Sequence, residues 1–363
     1  MKLSIPASIN AIAPYVPGKP METLERELGI RDAIKLASNE NPLGPSPMAI
    51  EAMAGALNRM HRYPDGACHE LVEQLAAHLS VDRHQIVLGN GSDDILALLA
   101  RVLLQPGDEV IIPSPSFLLY STAALSAGAV PVVVPLKDMV IDLPALLDRV
   151  GPKTRMVFIC NPNNPTGTVV GRQGLEQFLV SLPEHVVVVV DEAYFEFVRD
   201  DSCESGMAFL DAPVAVVTLR TFSKVYGLAG LRVGYGVMPA ELTDPLHRVR
   251  MPFNVNTMAQ VAAVAALQDI DFFNRTVDLV HQGLDWLYVE MEKRGLRYFP
   301  SQSNFFLIDV QQSAQVVFEA MLREGVIIRA MTSYGYPEYI RVNVGLPSEN
   351  QRFLEALDKV LGL

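Results

Sequence analysis

Cysteine is scarce in this chain: Cys68, Cys160 and Cys203 are the three in 363 residues, and no two have C-x-x-C spacing. So few and scattered thiols build neither a disulfide framework nor a zinc knuckle, and the expectation is buried, reduced side chains. Basic charge is short as well. Lys and Arg number 29 against 41 Asp and Glu, a net charge of −12, which argues against nucleic acid or an anionic membrane as the main partner. Long apolar runs are missing. The stretch 95–104 is interrupted by Arg101, and no run reaches the roughly 20 residues that span a bilayer. The start carries Pro6, Pro14, Pro17 and Pro20 and no charged-then-apolar leader pattern, so a cytoplasmic location is expected. The 7 histidines include no H-E-x-x-H pair, and a G-x-S-x-G elbow is absent, which sets aside zinc-protease and serine-triad chemistry.

What is present is core-forming material. Half of the residues are apolar and 19% are charged, a balance that excludes intrinsic disorder, and the length suits two domains or one large one. From residue 85 onward short apolar runs alternate with amphipathic ones. The segments 86–88, 109–112, 130–134, 156–160, 186–190, 214–219 and 232–237 read as strands. Most are continuous and rich in Val or Ile, as strands buried on both faces of a mostly parallel sheet are. Helical stretches such as 93–104 and 174–181 fall between them, so the expected fold class is α/β, a seven-stranded, mostly parallel, doubly wound sheet. Beyond Asn256 two helical stretches, 257–267 and 271–294, lead to a second strand group at 296–299, 305–310, 326–329 and 339–344. That order predicts a smaller α+β domain. The expected division is an arm over 1–44, a large domain over 45–256 and the interdomain helix with the small domain over 257–363. The Pro-rich arm has no core of its own and is expected to lie across the small domain or reach a partner subunit.

Four motifs stand where strands end. Gly89-Asn90-Gly91-Ser92-Asp93-Asp94 opens a helix, and the free N–H groups of a helix N-terminus suit phosphate. Asp94 replaces the third glycine of a dinucleotide fingerprint, so nicotinamide binding is disfavoured. Asn161-Pro162-Asn163-Asn164-Pro165-Thr166-Gly167 is a rigid turn able to aim an amide, although alone it reads as an ordinary Asx/Pro loop. Asp191-Glu192-Ala193-Tyr194 ends a Val-rich run, where ligands of open α/β sheets sit; a helix-capping Asp is the equal alternative. Thr221-Phe222-Ser223-Lys224, with Gly227, Gly230 and Arg232 after it, suits a reactive amine beside phosphate donors, although a lone lysine is more often a surface residue.

The order of these motifs resembles that of the fold-type I pyridoxal-phosphate aminotransferases, class I/II, over nearly the whole chain. Within that family, Ala13-Pro14-Tyr15-Val16-Pro17-Gly18, the run 36–47 (LASNENPLGPSP), Arg62-Tyr63-Pro64-Asp65-Gly66, Met251-Pro252-Phe253-Asn254-Val255-Asn256 and the tail segments 325–329, 334–337 and 340–345 are similar to the branch that acts on histidinol phosphate. The resemblance implies pyridoxal 5′-phosphate as cofactor and a homodimer with shared active sites. It assigns Lys224 to the cofactor aldehyde and to proton transfer at the substrate Cα. Asp191 would face the pyridine nitrogen, and Asn164 and Tyr194 the ring's 3-oxygen. Phe117 would stack on the ring. The phosphate would rest on the amides of Gly91 and Ser92 with Thr221, Ser223 and Arg232, and on Tyr63 from the neighbouring subunit. Arg341 would clamp the substrate's acidic end, with Arg329 and Tyr15 as further phosphate contacts. The implied reaction is L-histidinol phosphate plus 2-oxoglutarate giving imidazole acetol phosphate plus L-glutamate. An aromatic amino acid aminotransferase, a phosphothreonine-type decarboxylase and a non-catalytic cofactor-binding regulator remain as alternatives.

Overall fold

The computed structural model describes residues 3–14 and 18–363, with only the backbone of Leu28. Among the described residues thirteen strands are numbered in chain order. They are β1 (Ile34–Lys35), β2 (Ile86–Gly89), β3 (Glu109–Ser114), β4 (Val130–Pro135), β5 (Thr154–Cys160), β6 (Val187–Asp191), β7 (Val216–Thr221), β8 (Gly234–Val237), β9 (Tyr298–Phe299), β10 (Phe305–Asp309), β11 (Val326–Ile327), β12 (Arg329–Ala330) and β13 (Tyr339–Asn343).

Seven of them form one sheet in the order β2-β8-β7-β6-β5-β3-β4. The pairs among β4, β3, β5, β6 and β7 are parallel, and β8 runs antiparallel between β7 and β2. The α/β expectation holds, and the Val run of β6 shows why. Val187 and Val189 enter the core on one face, with Tyr120, Phe158 and Leu219. Val188 and Val190 enter the core on the other, with Phe178 and Val216. A strand covered on both sides has no polar alternation to display. At the sheet margin the rule lapses: Val130 and Val133 of β4 are about half exposed, because an edge strand is covered less.

The second strand group forms a four-stranded antiparallel sheet, β12-β13-β10-β9, and β1 pairs in parallel with β11. The helices Thr257–Gln268 and Ile270–Lys293 lie between. A continuous apolar cluster runs from Tyr235 of β8 through Ala262 and Leu284 of these helices to Phe306 and Val342 of the small sheet.

Two expected strands are corrected. The stretch 232–237 begins only at Gly234, because Arg232 adopts a left-handed conformation (φ 57°) that turns the chain before the strand starts. The stretch 326–329 is two strands in two sheets, β11 on β1 and β12 on β13. The pair β1 is too short to carry any periodicity. Cys68 and Cys160 are buried, whereas Cys203 is only half-buried. Among the described residues no helix is long and apolar enough to cross a membrane.

Candidate active site

The strand polarity collects the motifs at one sheet edge. Gly89, Cys160, Asp191 and Thr221 are the last residues of β2, β5, β6 and β7, and antiparallel β8 starts at that edge with Gly234. In register, Gly234 lies between Gly89 and Thr221. A Cβ on Gly234 would stand 2.5 Å from the Ser92 nitrogen and 2.9 Å from the Arg220 carbonyl. The backbone therefore passes directly beneath the start of the helix Ser92–Leu103, and only glycine permits it. A cavity of about 230 Å³ opens at this edge, lined by Ser38, Glu40, Ser92, Asp93, Phe117, Cys160, Asn164, Asp191, Ala193, Tyr194, Thr221, Ser223, Lys224, Ala229 and Arg232.

Asp191 is 3% exposed. Its Oδ2 accepts from the Tyr120 hydroxyl at 2.7 Å and its Oδ1 from the Ala193 amide at 3.2 Å. Burial raises its carboxyl to about 6 against those two hydrogen bonds, and Asp93 and Glu192 push in the same direction as burial. Among the described residues no cation pairs with it, while the cavity lies in front of it. Across the cavity, Lys224 Nζ donates to the Ser38 carbonyl at 3.4 Å and lies 5.4 Å from the centre of the Tyr194 ring. Burial, aided by the Arg341 charge, lowers the amine to about 8 against the pull of Glu40 and Asp93. A lysine near 8 is partly neutral at physiological pH and so able to act as nucleophile or base.

At the helix start, Gly91 has φ 85° and packs so closely on Arg232 that a Cβ would lie 2.6 Å from its Nη2. The Gly91 amide donates back to the Gly89 carbonyl at 2.8 Å, so amide donation at this corner falls to Ser92, the first helical residue, whose N–H has no intrahelical acceptor. Arg232 donates to the Ala229 carbonyl at 3.1 Å and reaches Asp93 at 3.4 Å. Its side chain keeps 43% exposure, so the guanidinium retains donors for an anion. The Thr221 hydroxyl accepts from the Ser223 amide at 3.1 Å, which tightens the loop that carries Lys224.

The Asn161–Gly167 turn is wired internally. Asn163 receives the Ser116 hydroxyl (2.8 Å) and donates to the Pro115 carbonyl and Thr166. Asn161 brackets Val170 with both ends of its amide. Asn164 is thereby presented to the cavity, where its Oδ1 accepts from Arg341 Nη1. Arg341 is 6% exposed, donates also to the Ala37 carbonyl at 3.0 Å, and stacks 5.0 Å over the Phe305 ring. Its Nε is buried without a partner. Arg329 faces Arg341 in register across β12 and β13, which puts both side chains on one face of the small sheet.

The remaining expected residues divide. Phe117 lines the cavity and meets Tyr120 edge-on at 5.6 Å. Tyr194 is buried, accepts from Asn39 Nδ2 at 2.9 Å, and burial raises its phenol. Tyr63 is not in this cavity: it is 82% exposed and stacks on Phe253 at 4.7 Å. Tyr15 lies outside the described residues. Sequence reasoning missed Tyr120, Ser38, Asn39 and Glu40. The last three belong to the arm, which crosses the site and is held by Asn41 Nδ2 on the Val225 carbonyl at 2.8 Å. Gly227 makes this possible, since a Cβ there would lie 2.0 Å from the Gly44 carbonyl.

The cofactor implied by the sequence fits these residues. A buried carboxylate without a cation suits a protonated ring nitrogen, Phe117 offers a π face, and the Ser92–Thr221–Ser223–Arg232 corner offers donors for a phosphate dianion.

Comparison with known proteins agrees. The model of the family described as aminotransferase class I and II matches residues 31–357. The histidinol-phosphate aminotransferase of Desulfotalea psychrophila is 50% identical over 370 residues, covering 99% of this chain and 96% of its own. That of Moorella thermoacetica is 47% identical over 355 residues, covering 98% and 92%. Among solved structures, the histidinol-phosphate aminotransferase of Sinorhizobium meliloti in complex with pyridoxal-5′-phosphate superposes with a TM-score of 0.91 at 28% identity, covering 99% of this chain and 97% of the other.

Proposed function

The chain belongs to the class I and II aminotransferases, and from that membership we propose that it moves the amino group of L-histidinol phosphate to 2-oxoglutarate, giving imidazole acetol phosphate and L-glutamate in histidine biosynthesis. Its cofactor is pyridoxal 5′-phosphate, which supplies a carbonyl to receive the amine and a ring that withdraws electrons from the substrate Cα. The observation that carries the reading is the uncompensated Asp191 carboxylate facing a lowered Lys224 amine across one cavity, in a chain about half identical, end to end, to relatives of that name.

Each side chain then has a task. Asp191 holds a proton on the ring nitrogen by its negative charge, and Tyr120 keeps that carboxylate ionised and aimed. Lys224 would take the proton from the substrate Cα and return it two bonds away, at the cofactor carbon that receives the amine. Asn164 and Tyr194 orient the 3-oxygen, and Phe117 covers one face of the ring. Ser92, Thr221, Ser223 and Arg232 would hold the cofactor's phosphate by hydrogen bonds and charge. Arg341, and Arg329 beside it, take the acidic end of the substrate. A guanidinium suits a carboxylate and a phosphate alike, which both half-reactions need. Two arginines on one sheet face favour a dianionic phosphate and so histidinol phosphate over phenylalanine.

Exposed Tyr63 and Phe253, with exposed Leu57 and Met251, support a homodimer in which Tyr63 reaches the second copy's phosphate corner. Mixing inactive Lys224→Ala and weakened Tyr63→Ala chains should then restore activity in the mixed dimer, and a mixture no better than its components would remove Tyr63 from the site. For the substrate, holoenzyme is mixed separately with histidinol phosphate, glutamate and phenylalanine, and cofactor absorbance is followed. Rapid amination by the first two and slow reaction with phenylalanine is the expected result. A preference for phenylalanine would make the enzyme an aromatic aminotransferase.

A further inference from the structure

Behind the site lies a buried charge cluster that the proposed chemistry does not use. Glu192 follows Asp191, and Arg220 precedes Thr221 and stands four residues before Lys224. Side chains alternate along strand ends, so Asp191 and Thr221 face the cavity while Glu192 and Arg220 meet on the opposite side of the sheet. Arg220 sends Nε (2.9 Å) and Nη2 (2.7 Å) to one oxygen, Glu192 Oε2. The Ser205 hydroxyl donates to the same oxygen at 2.9 Å, and the Gly206 amide takes Oε1 at 2.6 Å. Arg220 Nη1 reaches Glu196 at 3.4 Å, and the guanidinium lies 4.3 Å over the Phe195 ring. The three charged side chains are 0–10% exposed.

Stability alone is a poor reason for such a cluster. Buried ion pairs replaced by apolar groups of like volume are often as stable or more so. This one also carries two carboxylates against one guanidinium and leaves Glu196 Oε2 buried without a partner. What it supplies is geometry. The Glu192 amide donates to the Leu219 carbonyl at 2.8 Å, so the last rung of the β6–β7 ladder and the side-chain fork pin the same two strand ends from backbone and side chain together. Those ends carry Asp191 on one side and Thr221, Ser223 and Lys224 on the other. The cluster also places Glu192 close enough behind Asp191 that its charge pushes the Asp191 carboxyl up.

We propose that Arg220 and Glu192 are positioning residues of the amino-transfer reaction, a side-chain clamp that sets where Asp191 and Lys224 face each other. This rests on the transaminase reading. The test uses holoenzymes of Arg220→Lys, Glu192→Gln and the charge-free triple Glu192→Gln/Glu196→Gln/Arg220→Met, which strands no carboxylate. It reads kcat and KM with glutamate, the visible spectrum of the bound cofactor, and the melting temperature of each apoenzyme. A misplacement of reacting groups by about an ångström costs on the order of a hundredfold, so each single variant should lose about ten- to a hundredfold in kcat with KM within about twofold, and its cofactor absorption should shift. The triple variant should recover much of the melting temperature and little of kcat. Single variants that melt lower yet keep native kcat and spectrum, or a triple variant that regains kcat with its stability, would overturn the clamp and leave a purely structural cluster. A wild-type holoenzyme unable to accept the amine of glutamate would instead sink the transaminase reading, separately from the clamp.

Discussion

The two sides of the β6 and β7 ends solve the problem of buried charge in opposite ways. On the far side, Glu192 has Arg220, the Ser205 hydroxyl and the Gly206 amide. On the cavity side, one residue earlier, Asp191 has among the described residues only a phenol and one amide, and no cation. A compensated carboxylate is finished, whereas an uncompensated one is stabilised only when a cationic ligand arrives. Lys224 shows the same incompleteness with the sign reversed, since burial and Arg341 hold its amine low. The contrast separates the charges that serve the chemistry from those that hold the frame.

Removing the amine breaks the cavity side most severely. Lys224→Ala should cut turnover by at least about a thousandfold, the scale of losing both nucleophile and positioned base, while the phosphate corner still binds cofactor in equilibrium dialysis. Substantial remaining transamination would refute the role of Lys224. Asp191→Asn sharpens the contrast with Glu192. Its rate should fall about a hundred- to a thousandfold, yet its apoenzyme should be no less stable than the parent. The folded-state pKa of Asp191 is raised to about 6 from 3.8, so the folded chain binds more protons between those values and stability falls as pH rises through them. The penalty is complete above pH 6, and there the Asn variant should melt at or above the parent. Glu192→Gln should do the reverse and lose roughly 3 kcal/mol, because it strands part of a buried pair. Equal melting changes in the two variants would erase the distinction. Tyr120→Phe is milder: about a tenfold drop in rate, the scale of one hydrogen bond to a charge, growing as pH falls because Asp191 loses the bond that lowers its pKa. A pH-independent loss would mean that Tyr120 only packs.

The sequence made the cavity side legible and hid the far side, for a physical reason. The phosphate corner and the Asp191 and Lys224 positions are local motifs at strand ends, and continuous Val runs marked those strands. Arg341 was found through resemblance, yet its partners Ala37 and Asn164 lie 304 and 177 residues away, and no spacing rule spans that. Asn39 reaches Tyr194 from 155 residues away, on an arm whose prolines suppress any periodic signal. Tyr120 sits in a helix with little amphipathic contrast, where a tyrosine reads as packing. Arg220 falls just beyond the expected strand 214–219, and only the longer β7 and its register against β6 show that it meets Glu192. Gly234 looked like the middle of a strand, although its missing side chain lets the sheet pass beneath Ser92.

The smallest effect is also the most direct measure of what the cavity side gives up. The Lys224 amine has a folded pKa of about 8 against an ordinary 10.5. Between those values the unfolded chain binds a proton that the folded chain does not, so stability rises with pH across that window. Below pH 8 the amine is charged in both states and the folded state bears the full penalty. Lys224→Met removes it. The apoenzyme of that variant should therefore be more stable than the parent at pH 7, by on the order of 1–2 kcal/mol after allowance for partial solvent access, with the gain fading toward pH 10.5. Denaturant unfolding at three pH values measures it. A gain that did not fade would come from packing of the methionine rather than from the charge, and a loss would mean that the amine is better solvated than its surroundings imply.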